Sequence, residues 1–85
     1  MITPAQKQQL KTYLKGNYTD EVLYILSERN IVSKRQKPYS KSMIRNVLNG
    51  NVEHYDIENA IIEVYRRRVE LHKLQEALKT KLLQD

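Results

Sequence analysis

The clearest helix signals in the chain lie in the sequence PYSKSMIRNVLNG, residues 38–50. Ser40 or Tyr39 can cap a helix that ends at Asn49, and Gly50 fits the C-cap position that closes it. At 100° per residue, one arc of this helix is apolar and consists of Met43, Ile44, Val47 and Leu48. The opposite arc carries Lys41, Ser42, Arg45, Asn46 and Asn49. The pattern predicts a short helix with a buried aliphatic face and an exposed face of side chains that hydrogen-bond bases and phosphates.

Positive charge is concentrated around this predicted helix. The net charge of the chain is +5, and the window between Arg29 and Val52 has no acidic residue. Its six basic residues are Arg29, Lys34, Arg35, Lys37, Lys41 and Arg45. A basic patch around a short helix indicates an anionic partner, either nucleic acid or a membrane surface. The alternative is a solvated basic loop without a partner.

The composition is that of a small domain without cysteine chemistry. Its 85 residues suit one domain, and the lack of cysteine excludes disulfides and thiolate metal sites. No apolar run approaches the roughly 20 residues that span a bilayer, and the first residues lack a secretory signal, so a soluble cytoplasmic protein is expected. His54 and His72 lie outside any zinc motif, and neither a catalytic constellation nor a phosphate-binding loop is evident. We therefore expect no enzyme activity, no cofactor and no metal.

Capping and breaking residues predict an all-α domain of four helices. The first helix covers residues 4–15, with Thr3 as N-cap, Pro4 in the first helical position and Gly16 just past the end. The second begins at Thr19 or Asp20 as cap and ends near Arg29. A connector without helix follows over residues 30–38, because Pro38 forbids a continuous helix there. The third helix spans about residues 40–49, and Asp56 can cap a last helix that runs to the C-terminus.

The last helix is predicted to be longer than a small domain is wide. Its first part has a core-like face formed by Ile57, Ala60, Ile61, Val64 and Tyr65. Three arginines, residues 66–68, interrupt this apolar pattern. A second apolar stripe then follows, made of Leu71, Leu74, Leu78 and Leu82. This stripe could pack within the chain, on a second copy or on another protein; we expect a homodimer contact.

Residues 38–50 resemble the second half of the helix-turn-helix in Cro/repressor-like (Xre-type) DNA-binding domains of bacteria and phages. The positions that match the family pattern are Ser40, Ser42, Ile44, Val47, Asn49 and Gly50. Helices before and after extend the resemblance over roughly residues 4–65. The connector differs from the family pattern. The turn in that family is usually three or four residues long and often contains Gly, whereas the connector is longer and has no Gly.

The resemblance implies a DNA-binding domain over residues 1–65. Residues 66–85 extend beyond the minimal family domain, and we expect them to form a dimerisation or packing segment, because repressor-type domains commonly dimerise. The resemblance places Lys41, Ser42 and Arg45 against base edges in the major groove, and Asn46 against a base edge or a phosphate. By the same resemblance Asn49 lies near a phosphate. Further candidates for phosphate contacts are Ser40 and the basic connector residues Lys34, Arg35 and Lys37, and the connector could contact the backbone or the minor groove.

The function expected from these features is sequence-specific binding of double-stranded DNA by a small transcriptional regulator of bacterial or phage type. The main alternative is a helical protein–protein interaction module, such as an accessory protein of a phage or mobile element, that uses the last helix and does not bind DNA. A basic amphipathic helix lying on a membrane is a third interpretation, and Glu63, Glu70 and Glu76 argue against it. No membrane partner is expected.

Overall fold

The computed structural model of the chain describes residues 1–33 and 35–83. Four helices lie within these ranges, and no strand does: α1 (Pro4–Lys11), α2 (Tyr18–Glu28), α3 (Lys41–Leu48) and α4 (Tyr55–Leu83). Helix α2 packs against both α3 and α4, and α3 also packs against α4. The predicted fold class, a small all-α domain of four helices, is confirmed.

The N-terminus of α1 is capped as predicted. The Thr3 hydroxyl accepts a hydrogen bond from the Gln6 amide at 3.2 Å, and the Gln6 side chain accepts one from the Thr3 amide at 3.0 Å. This reciprocal pair satisfies two amides that the first turn of a helix leaves unpaired. The predicted end at residue 15 is wrong, because the chain turns after Lys11 and the Leu14 amide bonds back to the Leu10 carbonyl at 3.0 Å. That turn lets Leu14 join the buried core.

Helix α2 begins earlier than predicted. Asn17, in a left-handed conformation with φ of 52°, precedes the first helical residue, and its side chain makes no capping bond. Thr19 and Asp20 lie inside the first turn, and Thr19 is buried, so neither serves as the cap. At the other end Asn30 adopts φ of 57° and the Ile31 amide bonds back to the Leu26 carbonyl at 2.9 Å. This arrangement is a Schellman-type ending, one residue before the predicted end at Arg29.

The connector between α2 and α3 closes on itself through a turn. The Ser33 amide donates to the Lys37 carbonyl at 2.9 Å, and the Ser33 hydroxyl accepts from the Lys37 amide at 3.3 Å. Ile31, just before this turn, packs against the core. Residues 30–33 and 35–38 contain no helix, as predicted for the connector. The connector is longer than the turn of the Xre-type domains that the sequence resembles.

The core lies where α2, α3 and the first half of α4 meet. The largest fully buried side chains there are Val22, Ile44, Val47, Leu48, Ile57, Ile61 and Val64. Beyond Val69 every residue of α4 that the structure describes is exposed. The molecule measures 56 × 28 × 18 Å, because this second half of α4 projects from the packed domain. Among the described residues, no helix is both long enough and apolar enough to cross a membrane.

Candidate nucleic-acid interface

Helix α3 is capped at both ends by residues that the sequence predicts as caps. The Ser40 hydroxyl accepts a hydrogen bond from the Met43 amide at 3.1 Å. After Asn49, Gly50 takes φ of +80°, and the Asn51 amide bonds back to the Asn46 carbonyl at 3.0 Å. This is again a Schellman ending, for which the left-handed position favours glycine. The bond between the Ser40 hydroxyl and the Met43 amide shows that Ser40, and not Tyr39, is the N-cap of α3.

Gly50 is also required by a close approach that the sequence does not reveal. A Cβ added at Gly50 would lie 2.6 Å from the carbonyl oxygen of Ile2. The N-terminal segment therefore crosses directly over the end of α3, and the buried Ile2 side chain anchors it there. The absence of a side chain at this position allows that crossing.

The two predicted faces of α3 are separated in the structure. Ile44, Val47 and Leu48 are fully buried, and Met43 is half-buried against the core. All of the residues predicted to face DNA from this helix are exposed: Lys41, Ser42, Arg45, Asn46 and Asn49. Burial of the inner face fixes the rotation of the helix, so these five polar side chains share one outward surface.

Two charged residues on this surface have neighbours on α2. The Lys41 ammonium lies 3.1 Å from a carboxylate oxygen of Asp20, and both side chains are about half exposed. Burial raises the pKa of the Tyr18 hydroxyl, and the nearby positive charge of Arg45 opposes that rise. The first turn of α2 is therefore adjacent to the outward face of α3, and one basic side chain there already has an acidic partner.

The residues predicted to contact phosphates lie mainly just before α3. Arg35 and Lys37 are exposed in the connector, and Ser40 is exposed although its oxygen caps α3. The Ser40 hydroxyl group can still donate its own proton to an acceptor. Asn49 is exposed at the other end of the helix. Lys34 lies outside the described residues.

His54 links the start of α4 to the segment that precedes α3. Its Nδ1 accepts a hydrogen bond from the Ile57 amide at 3.3 Å, so His54, and not the predicted Asp56, caps α4. Its Nε2 lies 2.9 Å from the Tyr39 hydroxyl, and the two rings meet edge to face. Because Nδ1 is an acceptor here, the neutral ring carries its proton on Nε2 and donates it to Tyr39. The ring therefore holds the N-terminal end of α3 against α4, a role that the sequence analysis missed.

Arg68 has a structural role that the sequence analysis also missed. Its guanidinium donates to the carbonyls of Tyr13 and Lys15, both at 2.8 Å, and to that of Gly16 at 3.1 Å. It also pairs with the Glu21 carboxylate through two contacts at 3.0 and 3.2 Å. Only 19% of the Arg68 side chain is exposed. The arginine that was predicted to interrupt the apolar pattern of α4 instead fastens the α1–α2 loop and the start of α2 to α4.

The other two arginines of this run behave as ordinary surface residues. Arg66 and Arg67 both pair with Glu63 within α4, and both side chains are more than half exposed. Such exposed pairs one turn apart contribute little to stability. The sequence offers no signal that separates Arg68 from its neighbours, because the carbonyls it binds are about 52 to 55 positions away in the chain.

The leucine stripe is not covered by the described part of the chain. The exposed fractions of Leu71, Leu74, Leu78 and Leu82 are 55%, 63%, 59% and 73%. Packing of this stripe within the chain, one of the alternatives left open by the sequence, is therefore excluded for the described residues. The other two alternatives, a contact with a second copy and a contact with another protein, stay predictions.

Comparison with known proteins adds no family. No protein-family model matches the chain. No curated protein and no solved structure matches it either. Among the residues that the structure describes, no group of His, Asp or Glu side chains is arranged to hold a metal ion.

Proposed function

We propose that this protein binds double-stranded DNA in a sequence-specific manner, with α3 in the major groove. The observation that carries the proposal is the outward face of α3, where Lys41, Ser42, Arg45, Asn46 and Asn49 are exposed together on a helix held by its buried side. A short helix fits the major groove, and these side-chain types pair with base edges and phosphates. The resemblance to Xre-type domains supports the same assignment.

Within this proposal, Arg45 is the principal base-reading residue. It lies in the middle of the exposed face, and a guanidinium can donate two parallel hydrogen bonds to the O6 and N7 atoms of guanine. Asn46 can pair in a similar way with adenine, whereas Ser42 and Lys41 are less selective. Arg35, Lys37, Ser40 and Asn49 would contact phosphates on either side, which positions the helix without reading sequence.

The surrounding charge favours approach to a polyanion. No acidic residue lies between Arg29 and Val52, so the connector and α3 contribute only positive charge. Helix α2 brings an acidic side chain, Asp20, to this surface, where it pairs with Lys41. A small transcriptional regulator of bacterial or phage type, acting in the cytoplasm as a homodimer through the leucine stripe, is the role that agrees best with these features.

A salt titration with a random duplex and with genomic fragments tests DNA binding. If about four to six phosphates are contacted, log K should fall with log[salt] at a slope of roughly −4 to −5. The absence of binding to any duplex at low salt would overturn the proposal. It would favour the alternative function, an interaction module that uses the exposed leucines of α4 and does not bind DNA.

A pair of arginine variants tests whether α3 reads the bases. Arg45→Ala should cost about 1–3 kcal/mol at a selected cognate site and relax the preference at one base position. Arg66→Ala removes the same charge from an exposed position on α4 and should leave base preference unchanged. Lys37→Ala should weaken binding to all sequences almost equally, as expected for a phosphate contact. Equal effects of Arg45→Ala and Arg66→Ala on base preference would show that α3 is not the reading helix.

A further inference from the structure

The four leucines beyond the core form one continuous face of α4. At 100° per residue, Leu71, Leu74, Leu78 and Leu82 fall within an arc of about 80°, here called the leucine face. The buried Val64 lies on the same line of the helix, so the leucine face continues the core-facing side of α4 past the end of the domain. More than half of each leucine side chain is exposed. Such a face is far more apolar than a solvated helix requires, which indicates that it contacts another apolar surface.

The two flanks of the leucine face carry different charges. On one flank lie Glu70, near its beginning, and Lys81, near its end. The other flank carries Gln75 and Lys79 and has no acidic residue. All four of these side chains are exposed. Opposite charges on the same flank, close to the two ends of the face, form a self-complementary pattern.

We propose that the leucine face pairs with the leucine face of a second copy in an antiparallel orientation, about a two-fold axis level with Glu76. An antiparallel pair brings each flank opposite the same flank of the other helix. Leu71 then lies opposite Leu82 of the second copy, and Leu74 lies opposite Leu78. Glu70 and Lys81 form two symmetric ion pairs. The midpoints of these three pairings lie within one residue of one another, a spacing of about 1.5 Å along the helix.

A parallel pair of the same two leucine faces is less stable than the antiparallel pair. It would bring opposite flanks together, so Lys81 would approach Lys79 of the second copy twice, at the end where α4 is most exposed. Like charges placed opposite each other across a helix pair are destabilising. The charge pattern therefore selects the antiparallel orientation from the two that the leucines alone permit.

The groove at the base of the leucine face supports the same orientation. A cavity of about 450 Å³ between α2 and α4 is lined in part by Tyr24, Val64, Arg67 and Leu71. Tyr24 and Leu71 are both exposed there. In the antiparallel pair, the last described turn of the second copy reaches the level of Leu71, where its Leu82 can contact this groove. In a parallel pair the ends of both helices would lie far from either groove.

This inference rests on the proposed homodimer and not on DNA binding, and charge-swap variants of the full chain test it. Sedimentation equilibrium should detect a dimer at concentrations on the order of 100 µM, because a short two-helix interface is small. Glu70→Lys and Lys81→Glu should each weaken dimerisation roughly tenfold, since each creates two like-charge pairs, and the double variant should restore it. Glu76→Lys and Lys73→Glu make the same charge changes away from the leucine face and should have little effect.

Cysteine crosslinking then reads the orientation directly, because the natural chain has no cysteine. In an oxidised mixture of Leu71→Cys and Leu82→Cys, the mixed dimer should form in preference to either self-linked dimer. A monomer throughout the concentration range would overturn self-association itself, and the DNA titration would be unaffected by that result. The antiparallel orientation alone would be overturned by two results together: a Leu71→Cys dimer that links to itself, and dimerisation that is equally strong in the charge-swap variants.

Discussion

Replacing Arg68 by alanine should destabilise the domain far more than replacing its neighbour Arg67. The Arg68 guanidinium ties the carbonyls of Tyr13, Lys15 and Gly16 to α4, and it pairs with Glu21 as well. The Tyr13 carbonyl is partly buried, so its lost bond should cost about 1 kcal/mol. Water can replace the donor at the more exposed carbonyls and at Glu21, so each of these should cost about half as much.

These contributions give an expected loss of about 2–3 kcal/mol for Arg68→Ala. For a domain of this size the midpoint of thermal unfolding should fall by roughly 10–20 °C. Arg67→Ala, which removes one exposed pair with Glu63, should cost no more than about 0.5 kcal/mol. Urea and thermal unfolding followed by helical circular dichroism, on dilute protein, measure both variants. Equal stabilities for the two variants would refute the idea that Arg68 fastens the α1–α2 loop to α4.

Two further substitutions follow from close contacts around α3. Gly50→Ala should destabilise the domain by about 2 kcal/mol in urea unfolding, because a left-handed φ is combined with a backbone oxygen 2.6 Å from the new Cβ. Gly16→Ala, also left-handed but with open space around it, should cost only about 1 kcal/mol, and equal losses would contradict the close approach. Asp20→Asn should release Lys41 and tighten binding to any duplex about threefold to tenfold at low salt. Glu76→Gln, with the same charge change far along α4, should leave fluorescence-anisotropy binding curves unchanged, and a similar gain there would mean that only net charge matters.

The sequence alone was sufficient where a signal and its structural effect lie within a few residues. The caps at Thr3 and Ser40, the glycine after α3 and the division of α3 into two faces depend on neighbouring side chains and on helix periodicity, and all are found in the structure. The predicted helix boundaries were wrong where a local signal competed with burial in the core. Thr19 is a good capping residue, yet burial in the core placed it inside α2, and Asn17 begins that helix without a side-chain bond.

Some residues have their partners far away in the chain, and their roles are visible only in the packed fold. His54 resembled an isolated histidine, and Arg68 resembled one of three equivalent arginines. Their functions depend on Tyr39, which is 15 positions away, and on a loop more than 50 positions away. The exposure of the leucine face was likewise undetermined, because an apolar stripe has the same sequence pattern whether its cover comes from the same chain or from another. Periodicity specifies which side of a helix is apolar, whereas only the packed fold determines whether that side is already occupied.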